Sequence, residues 1–416
     1  MDKFLLSSET VLPISSEPIS DTSLLIVDGV IRKIGDTGKL KRDHPSTHTI
    51  DLGKGILLPG LINAHAHLEL GWIKKKISSF HGFAGWLRQI VNGKMEGVSE
   101  YDIEQSVREG LKALKSSGVT TVGEISSYKG LDKPILKDSG LRTVLFREVV
   151  DSNEEETDFY NFENEETFEE RLFPHAPYSC SPELLKKVLN SQKQNLTPLG
   201  IHLGESPDEV EFVRGGENAI ERDIFPLIGK APFNRPVAQT PYSYLKKLGF
   251  FPGNKISTVH MVQVPKGEVN ELKADDVGII LCPRSNMFVQ VGAPPLKEYA
   301  GLKRVGLGTD GLSSNYNLNF FAEIRFLHLL YSDTIGRDAG FKTVYAATLG
   351  GAKSLYLEDK IGSIEEGKEA DLIFLNLTNQ SDDPYLSVIS ATEQNLEMLM
   401  VRGKVLYSKK DFSLNS

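Results

Sequence analysis

Residues 55–67 read Gly-Ile-Leu-Leu-Pro-Gly-Leu-Ile-Asn-Ala-His-Ala-His, an apolar run that ends in two histidines. Because residues two apart on a strand point to the same side, the imidazoles of His65 and His67 can face one point in space. Two neutral imidazoles that converge at a strand end form half of a metal site. The H-x-H spacing alone is weak evidence, but further candidate ligands follow at the ends of later apolar runs.

Length and composition restrict the class of protein. The chain has 416 residues, a net charge of −9 and no long basic block, which argues against nucleic acid or an anionic membrane as the main partner. Two cysteines, Cys180 and Cys282, exclude a disulfide framework and favour the reducing cytoplasm. We expect neither a signal peptide nor a membrane span, because no apolar run approaches the ~18–20 residues that a span needs.

From residue 56 onward, apolar runs alternate with segments of helical period. The candidate strands are residues 56–62, 119–125, 142–149, 171–175, 198–203, 256–261, 277–282 and 304–309. Alternation of this kind predicts parallel β/α units, which close into an α/β barrel of the (β/α)8 TIM type over residues 55–359. Periodicity alone does not distinguish the barrel from a doubly wound open sheet.

Both ends of the chain have strand texture. Residues 23–27 and 30–34 flank an Asp28-Gly29 turn, and residues 396–401 and 404–407 flank an Arg402-Gly403 turn. Because these similar segments lie on either side of the barrel, we expect residues 1–54 and 360–416 to pair into one small β domain.

Five of the nine histidines fall at predicted strand ends, and an aspartate ends another strand. These residues are His65, His67, His175, His202, His260 and Asp310. In a parallel barrel, the carboxyl ends of all strands open onto one face, where active sites lie. Any one of these residues could be a core histidine with its hydrogen bonds satisfied, or an aspartate that caps a helix. Because six of them fall at the same position, the end of a strand, a purely structural role for all of them is improbable.

The chemistry of these residue types fits a metal-dependent hydrolase. Three imidazoles and one carboxylate suit Zn²⁺, Fe²⁺ or Mn²⁺. A metal with one open position lowers the pKa of a bound water from ~15.7 toward ~7. Glu205, three residues after His202, could take the proton of that water and later deliver it to a leaving amine.

Other side chains near the strand ends are candidates for substrate binding. Trp86 could stack on a heterocycle, although packing of its helix is an equal alternative. Arg147 and Glu148 end the third strand and Arg284 follows the seventh, where an arginine could grip a carboxylate or form a structural ion pair. Glu69 follows the H-x-H pair by two residues and could face the substrate or support a ligand.

As a set, these motifs resemble the amidohydrolase superfamily in its aminohydrolase branch of deaminases and chlorohydrolases. The matching segments are Pro59-Gly-Leu-Ile-Asn-Ala-His65-Ala-His67, His202-Leu-Gly-Glu205, Val259-His260, Gly308-Thr-Asp310, Thr348-Leu-Gly-Gly-Ala-Lys-Ser-Leu and Ile361-Gly-Ser-Ile-Glu-Glu-Gly-Lys-Glu-Ala-Asp-Leu. The resemblance implies a (β/α)8 barrel with a β-sandwich made from both termini.

The resemblance also implies roles for the site residues. One divalent metal, zinc in preference to iron or manganese, would be bound by His65, His67, His202 and Asp310. Glu205 would be the proton shuttle. His260 would polarise or position the hydrolytic water and the oxyanion. Asp310 would help to activate that water in addition to binding the metal.

Two details of the sequence restrict the type of reaction and the substrate expected within the superfamily. Binuclear members of the superfamily carry a bridging carboxylated lysine, and no lysine ends a candidate strand between residues 142 and 175. The absence of such a lysine favours a site with one metal ion. A site of this kind favours deamination or dechlorination over the ring opening that dihydropyrimidinase-like enzymes catalyse. The segment Pro174-His175-Ala-Pro-Tyr-Ser resembles one that places a histidine on the substrate in nucleoside-like deaminases, so His175 is a candidate substrate contact.

The pattern His67-Leu-Glu69-Leu, with Phe83-Ala-Gly-Trp86-Leu and residues 309–315, is most similar to aminodeoxyfutalosine deaminases of the alternative menaquinone pathway. Deaminases of S-adenosylhomocysteine, methylthioadenosine or adenosine come next, followed by guanine deaminases and triazine-type chlorohydrolases. The expected reaction replaces an exocyclic amine of a small aminopurine nucleoside-like substrate with oxygen and releases ammonia. The resemblance also suggests a homodimer.

Two other classes fit less well. Nucleobase deaminases of the H-x-E…P-C-x-x-C type need a P-C-x-x-C motif, which this chain lacks. A catalytically inactive scaffold of the same fold would have lost ligands or the proton shuttle, whereas every one of these positions is filled here.

Overall fold

The computed structural model describes residues 2–377 and 381–409. The strands in this part of the chain are β1 (Lys3–Val11), β2 (Ile19–Val27), β3 (Val30–Asp36), β4 (His48–Asp51), β5 (Ile56–Pro59), β6 (Leu61–Ala66), β7 (Val119–Ser126), β8 (Arg142–Val149), β9 (Phe168–Pro174), β10 (Leu199–Leu203), β11 (Ile256–His260), β12 (Gly278–Leu281), β13 (Val305–Leu307), β14 (Leu372–Leu375), β15 (Leu396–Val401) and β16 (Lys404–Ser408). The α-helices are α1 (Thr37–Asp43), α2 (Gly82–Met95), α3 (Glu100–Ser116), α4 (Lys133–Asp138), α5 (Pro182–Asn195), α6 (Pro207–Arg214), α7 (Pro241–Lys247), α8 (Val269–Ala274), α9 (Pro283–Phe288), α10 (Leu296–Tyr299), α11 (Phe320–Ile335), α12 (Ala339–Ala346), α13 (Leu349–Ser354) and α14 (Pro384–Ser390).

Strands β6 to β13 form a closed parallel barrel. They make two four-stranded sheets, ordered β6-β7-β8-β9 and β10-β11-β12-β13. Backbone hydrogen bonds join the sheets at both edges: the N–H of His202 donates to the carbonyl of His175 at 3.0 Å, and the N–H of Asp310 donates to that of His65 at 3.1 Å. The predicted barrel is therefore confirmed, and the doubly wound open sheet is excluded.

One connection departs from the regular β/α alternation. Between β8 and β9 the described chain forms the 3₁₀ segment Asp151–Glu156 instead of an α-helix. A run of acidic residues is a poor helix former, since like charges repel each other along the helix.

The apolar run 56–62, which we predicted as one strand, is divided at Gly60. A Cβ atom at Gly60 would lie 2.0 Å from Oγ1 of Thr120, so only glycine lets the chain pass this close to β7. Before the division, β5 pairs with β1 and β14, whereas β6 pairs with β7. Residues 56–59 thus belong to the terminal sheet, although our predicted barrel segment begins at residue 55.

Both ends of the chain contribute to one eight-stranded sheet. Its order is β16-β15-β14-β5-β1-β2-β3, with β4 beside β1. The two predicted hairpin turns are present, and Asp28 and Arg402 adopt left-handed φ values of 49° and 48° before their glycines. The folding of this sheet into a two-layer sandwich stays a prediction.

The barrel core ends directly beneath the predicted site. Phe146 and Phe173 pack inside the barrel with Val144, Val259 and Ile280. The ring of Phe173 lies 4.8 Å from that of His202 and 6.0 Å from that of His65, measured between ring centroids. These apolar side chains form a rigid floor that holds the imidazoles in place. Across residues 2–377 and 381–409, none of the helices combines the length and apolar character needed to span a membrane.

Candidate metal centre and active site

Four ligand atoms converge at the carboxyl ends of the barrel strands. Nε2 of His202 lies 3.3 Å from Nε2 of His65 and 3.4 Å from Nε2 of His67. Oδ1 of Asp310 lies 3.6 Å and 3.7 Å from the same atoms of His65 and His67. A tetrahedral metal with ligand bonds of about 2.0–2.2 Å separates its ligands by about 3.3–3.6 Å, so the four residues fit one divalent cation.

The protonation of the histidines suits ligation. Nδ1–H of His202 donates to the carbonyl of His175 at 3.0 Å, which leaves the Nε2 lone pair for a cation. Burial lowers the pKa of His67 to about 3 and that of His202 well below its usual range, so both imidazoles are neutral at pH 7. Burial opposes ionisation of Asp310, but the neighbouring imidazoles hold the pKa of its carboxyl well below its usual range.

Two serines orient the Asp310 carboxylate. Its Oδ2 accepts hydrogen bonds from Oγ of Ser285 at 2.6 Å and Oγ of Ser314 at 2.7 Å, which leaves Oδ1 facing the histidines. The backbone of Asp310 has a φ of 58°, a left-handed value that is uncommon for residues other than glycine. Strain of this kind is typical of residues whose side chain must take a fixed direction at a functional site.

We expect Ser285→Ala and Ser314→Ala each to weaken metal affinity by about 10- to 100-fold, because partners that orient a ligand commonly contribute that much. Competition of zinc between the protein and a chromogenic chelator measures the change. Ser257→Ala is the matched control, since its buried Oγ donates to the carbonyl of Ser354 away from the cluster. Equal losses in all three variants would contradict the assignment.

A carboxyl group and an imidazole face each other beside the cluster. Oε1 of Glu205 lies 3.6 Å from Nε2 of His260, and both side chains are buried. Nδ1–H of His260 donates to Oδ1 of Asn286 at 2.9 Å, so Nε2 is the free, basic nitrogen. Burial lowers the pKa of His260 to about 4 and raises that of Glu205 well above its usual range. A carboxyl group with a raised pKa can both take and return a proton near neutral pH.

The loop that carries Glu205 is fixed by a second carboxyl group. Glu209 accepts hydrogen bonds from the N–H groups of Gly204 and Glu205, each at 2.9 Å. Burial raises its pKa to about 7 despite these two donors. The native protein therefore retains a proton on Glu209 in a pH range where the unfolded chain has released it.

The free energy of unfolding should fall as pH rises from about 4.5, the ordinary pKa of glutamate, to about 7, because the folded state binds the extra proton. At about 1.36 kcal/mol per pKa unit, Glu209 accounts for a fall of about 3 kcal/mol across this window. Urea unfolding at several pH values should show a flatter profile for Glu209→Gln than for the wild type. Glu211→Gln, on the exposed side of α6, should keep the wild-type profile. A Glu209→Gln profile parallel to that of the wild type would refute this assignment.

A cavity of about 60 Å³ lies above the cluster. Helix α2 forms its roof, and Nε1–H of Trp86 donates to the carbonyl of Ser313 at 2.8 Å.

Three of the six predicted substrate residues line this cavity, namely His175, Trp86 and Glu148. Arg147 does not line it, because neighbouring residues on a strand point to opposite faces. Its guanidinium instead donates to the carbonyl of Asn161 at 3.0 Å and lies 4.8 Å from the ring centre of Phe162. The predicted contact of Arg147 with substrate is not supported.

The other two predicted residues are also engaged elsewhere. Arg284 pairs with the buried carboxylate of Glu323 at 3.5 Å. Glu69 is buried behind the site, where it accepts hydrogen bonds from the N–H groups of Ser127 and Tyr128 at 2.6 Å and 3.1 Å. Neither lines the cavity, so the alternative of a structural ion pair applies to Arg284, and Glu69 supports the loop after β7.

Several residues of the cavity wall were not predicted from the sequence. The additional residues are Leu70, Leu87, Ile90, Lys94, Tyr178 and Ser313. Tyr178 lies in the segment Pro174-His175-Ala-Pro-Tyr-Ser, which indicated His175 as a substrate contact. It could have been predicted as a cavity residue from the same segment. The α2 residues follow Trp86 at helical spacing, and this periodicity was the available signal for them.

A barrel that holds three buried imidazoles and a carboxylate at its carboxyl end, beside a buried Glu–His pair, defines a metal-dependent hydrolase. The model of the amidohydrolase family matches residues 56–406. The chain belongs to this family, and it is an enzyme that hydrolyses carbon–nitrogen bonds.

Curated relatives match over nearly the whole chain. The chain is 28% identical over 429 residues to a 5-methylthioadenosine/S-adenosylhomocysteine deaminase of Moorella thermoacetica, which covers 98% of this chain and 95% of that protein. It is 30% identical over 386 residues to a 5'-deoxyadenosine deaminase of Methanocaldococcus jannaschii, which covers 87% of this chain and 83% of that protein.

Solved structures share the fold. Helicobacter pylori aminofutalosine deaminase in complex with methylthio-coformycin has a TM-score of 0.84 at 24% identity, covering 97% of this chain and 99% of that chain. An adenosine deaminase from Xanthomonas campestris with bound zinc has a TM-score of 0.79 at 23% identity, covering 97% and 92%.

Proposed function

We propose that this enzyme deaminates a 6-aminopurine nucleoside, in which it replaces the exocyclic amine with oxygen and releases ammonia. The observation that carries the proposal is the pairing of Glu205 with His260 at 3.6 Å, directly beside the four-ligand cluster. A hydrolysis that expels an amine needs one group that removes a proton from water and delivers it to the leaving nitrogen.

The residues around the cluster divide this work. A divalent cation bound by His65, His67, His202 and Asp310 would supply Lewis acidity and lower the pKa of a water toward ~7. Glu205 takes a proton from the water that adds to the purine C6 and delivers it to the amine, which leaves as ammonia. The second proton of the water ends on the ring nitrogen, so the product carries a carbonyl at C6 and an N–H in the ring.

Three residues position the reactants. His260 is neutral, with its free Nε2 facing the cavity, so it can accept a hydrogen bond from the attacking water. His175 lies across the cavity, where Oγ of Ser179 holds its Nδ1 at 2.8 Å and leaves Nε2 for a purine nitrogen. Trp86 offers an aromatic ring in the cavity roof, which suits stacking on a purine.

For the substrate, the motif pattern favours 6-aminodeoxyfutalosine, and relatives aligned over 98% of the chain favour methylthioadenosine or S-adenosylhomocysteine. We propose zinc as the metal, because three imidazoles and one carboxylate suit it and a structural neighbour contains it. The homodimer, the cytoplasmic location and a place in menaquinone biosynthesis stay predictions.

Ammonia release by zinc-, manganese- and iron-loaded protein tests the proposal. The panel contains aminodeoxyfutalosine, S-adenosylhomocysteine, methylthioadenosine, 5'-deoxyadenosine, adenosine, guanine, cytosine and a chlorotriazine. We expect turnover of 6-aminopurine nucleosides and little of the free bases. Metal-loaded protein that releases chloride from the triazine, and no ammonia from any nucleoside, would overturn the proposal in favour of a chlorohydrolase.

A further inference from the structure

One cationic side chain faces the active-site cavity. Helix α2 directs Trp86, Leu87, Ile90 and Lys94 toward the cavity, at spacings that place them on one helix face. Among the described residues, Lys94 is the one lysine or arginine that lines it. The side chain of Lys94 is exposed, so it lies where the cavity meets solvent.

Lys94 is not neutralised by a direct ion pair. Within residues 2–377 and 381–409, the ion pairs of 4.0 Å or less include Lys76 with Glu96 on the same side of the barrel, but none involves Lys94. Its one close aromatic neighbour is Tyr128, whose ring centre is 5.9 Å from Nζ. An unpaired ammonium at a cavity mouth is available to an anion from solution.

The other charged groups on the cavity wall are acidic. Glu148 is partly exposed, whereas Glu205 and Asp310 are buried. Burial opposes its ionisation, but the charges of Lys94 and His175 outweigh that effect and hold the pKa of Glu148 at about 2. Glu148 is therefore an anion that can accept hydrogen bonds from substrate hydroxyl groups and repels a substrate carboxylate. Recognition of an anionic substrate group falls to Lys94.

The two arginines that the sequence offered for this task are unsuitable. Arg147 is bound to the carbonyl of Asn161 on the outer side of β8, and Arg284 is paired with Glu323. Neither guanidinium lines the cavity. A carboxylate on a substrate would thus meet Lys94, the one lysine or arginine of the cavity wall in the part of the chain that the structure describes.

We propose that Lys94 determines specificity by binding a carboxylate at the end of the nucleoside substrate remote from the reacting amine. This inference rests on the proposed deaminase function. With the purine held near Glu205 and His260 at the closed end of the cavity, a substituent on the sugar extends toward the mouth, where Lys94 lies. The substrate class is a 6-aminopurine nucleoside with a carboxylate-bearing substituent.

The test compares two substrates that differ only in charge, aminodeoxyfutalosine and its methyl ester. In Lys94→Met, which keeps most of the apolar stem, kcat/KM for the acid should fall by roughly 10- to 100-fold, the usual size of a charge-assisted hydrogen bond. The value for the ester should change less than about 2-fold, and Lys94→Arg should restore much of the activity on the acid. Lys112→Met, on the outer helix α3, is the control and should change neither value.

The possible results distinguish a failure of the proposed role of Lys94 from a failure of the proposed deaminase function. If Lys94→Met lowers kcat/KM equally for the acid and the ester, Lys94 acts on Glu148 or on folding and the inference is overturned. If wild-type protein turns over adenosine and the ester as well as the acid, the deaminase function holds and the carboxylate preference fails. No turnover of any nucleoside would overturn the proposed function itself.

Discussion

Glu205→Gln should lower kcat for deamination by about 10²- to 10⁴-fold, the range that a positioned general acid–base commonly contributes. The glutamine keeps the size and the hydrogen-bonding shape of the side chain but cannot carry the proton from water to the leaving amine. Glu205 is not among the three clustered histidines or Asp310, so the variant should still bind one metal per chain. Ammonia release and metal analysis of the same sample measure both properties.

Glu211→Gln is the matched control. It makes the same chemical change six residues along the chain, where the Glu211 side chain is 45% exposed and pairs with Arg214 at 2.9 Å. Its kcat should equal that of the wild type. If Glu205→Gln retained more than about a tenth of wild-type turnover with metal bound, the proton shuttle would have to be assigned to another group, and His260 is the nearest.

The cluster could be predicted from the sequence because it depends on local patterns and on one general property of barrels. Apolar runs locate the strands, and each ligand stands at a run's carboxyl end. His65 and Asp310 are far apart in the chain, yet their strands are neighbours, since the N–H of Asp310 donates to the carbonyl of His65. Barrel closure brings such residues together whatever their separation in sequence.

The substrate residues were harder to predict because their direction depends on details of tertiary structure. A strand pattern shows that Arg147 and Glu148 face opposite ways, but it does not show which of them faces inward. Glu69 follows His67 by two residues and would share its face on a strand. The chain from Leu68 to Lys76 is a 3₁₀ helix, however, and the change of period turns Glu69 toward Ser127.

The division of the apolar run at Gly60 also could not be predicted from the sequence pattern. Residues 56–62 are uniformly apolar on both sides of the glycine, so nothing local separates a sheet strand from a barrel strand. The break depends on the close approach of Thr120, a residue 60 positions later. Contacts of this range are set by packing, which a single sequence does not display.

Removing the metal should abolish ammonia release, because none of the described side chains on the cavity wall can lower the pKa of water by the ~9 units that hydroxide formation at neutral pH requires. Dialysis against a strong chelator tests this, and stoichiometric zinc should restore turnover. Loss of the cation should also destabilise the fold by about 2.7 kcal/mol relative to protein held at a metal concentration 100 times the Kd. Urea unfolding with and without zinc measures that difference.

The substitution His202→Ala should also produce a protein without metal. The variant removes the imidazole whose Nε2 lies closest to those of both His65 and His67, so it should purify without metal and without activity. His328→Ala, on helix α11 outside the cluster, should keep both. Full turnover by chelated protein with less than about a tenth of an equivalent of metal would refute the metal assignment. Loss of turnover that zinc fails to restore would instead indicate that chelation had unfolded the barrel, which the urea profile distinguishes.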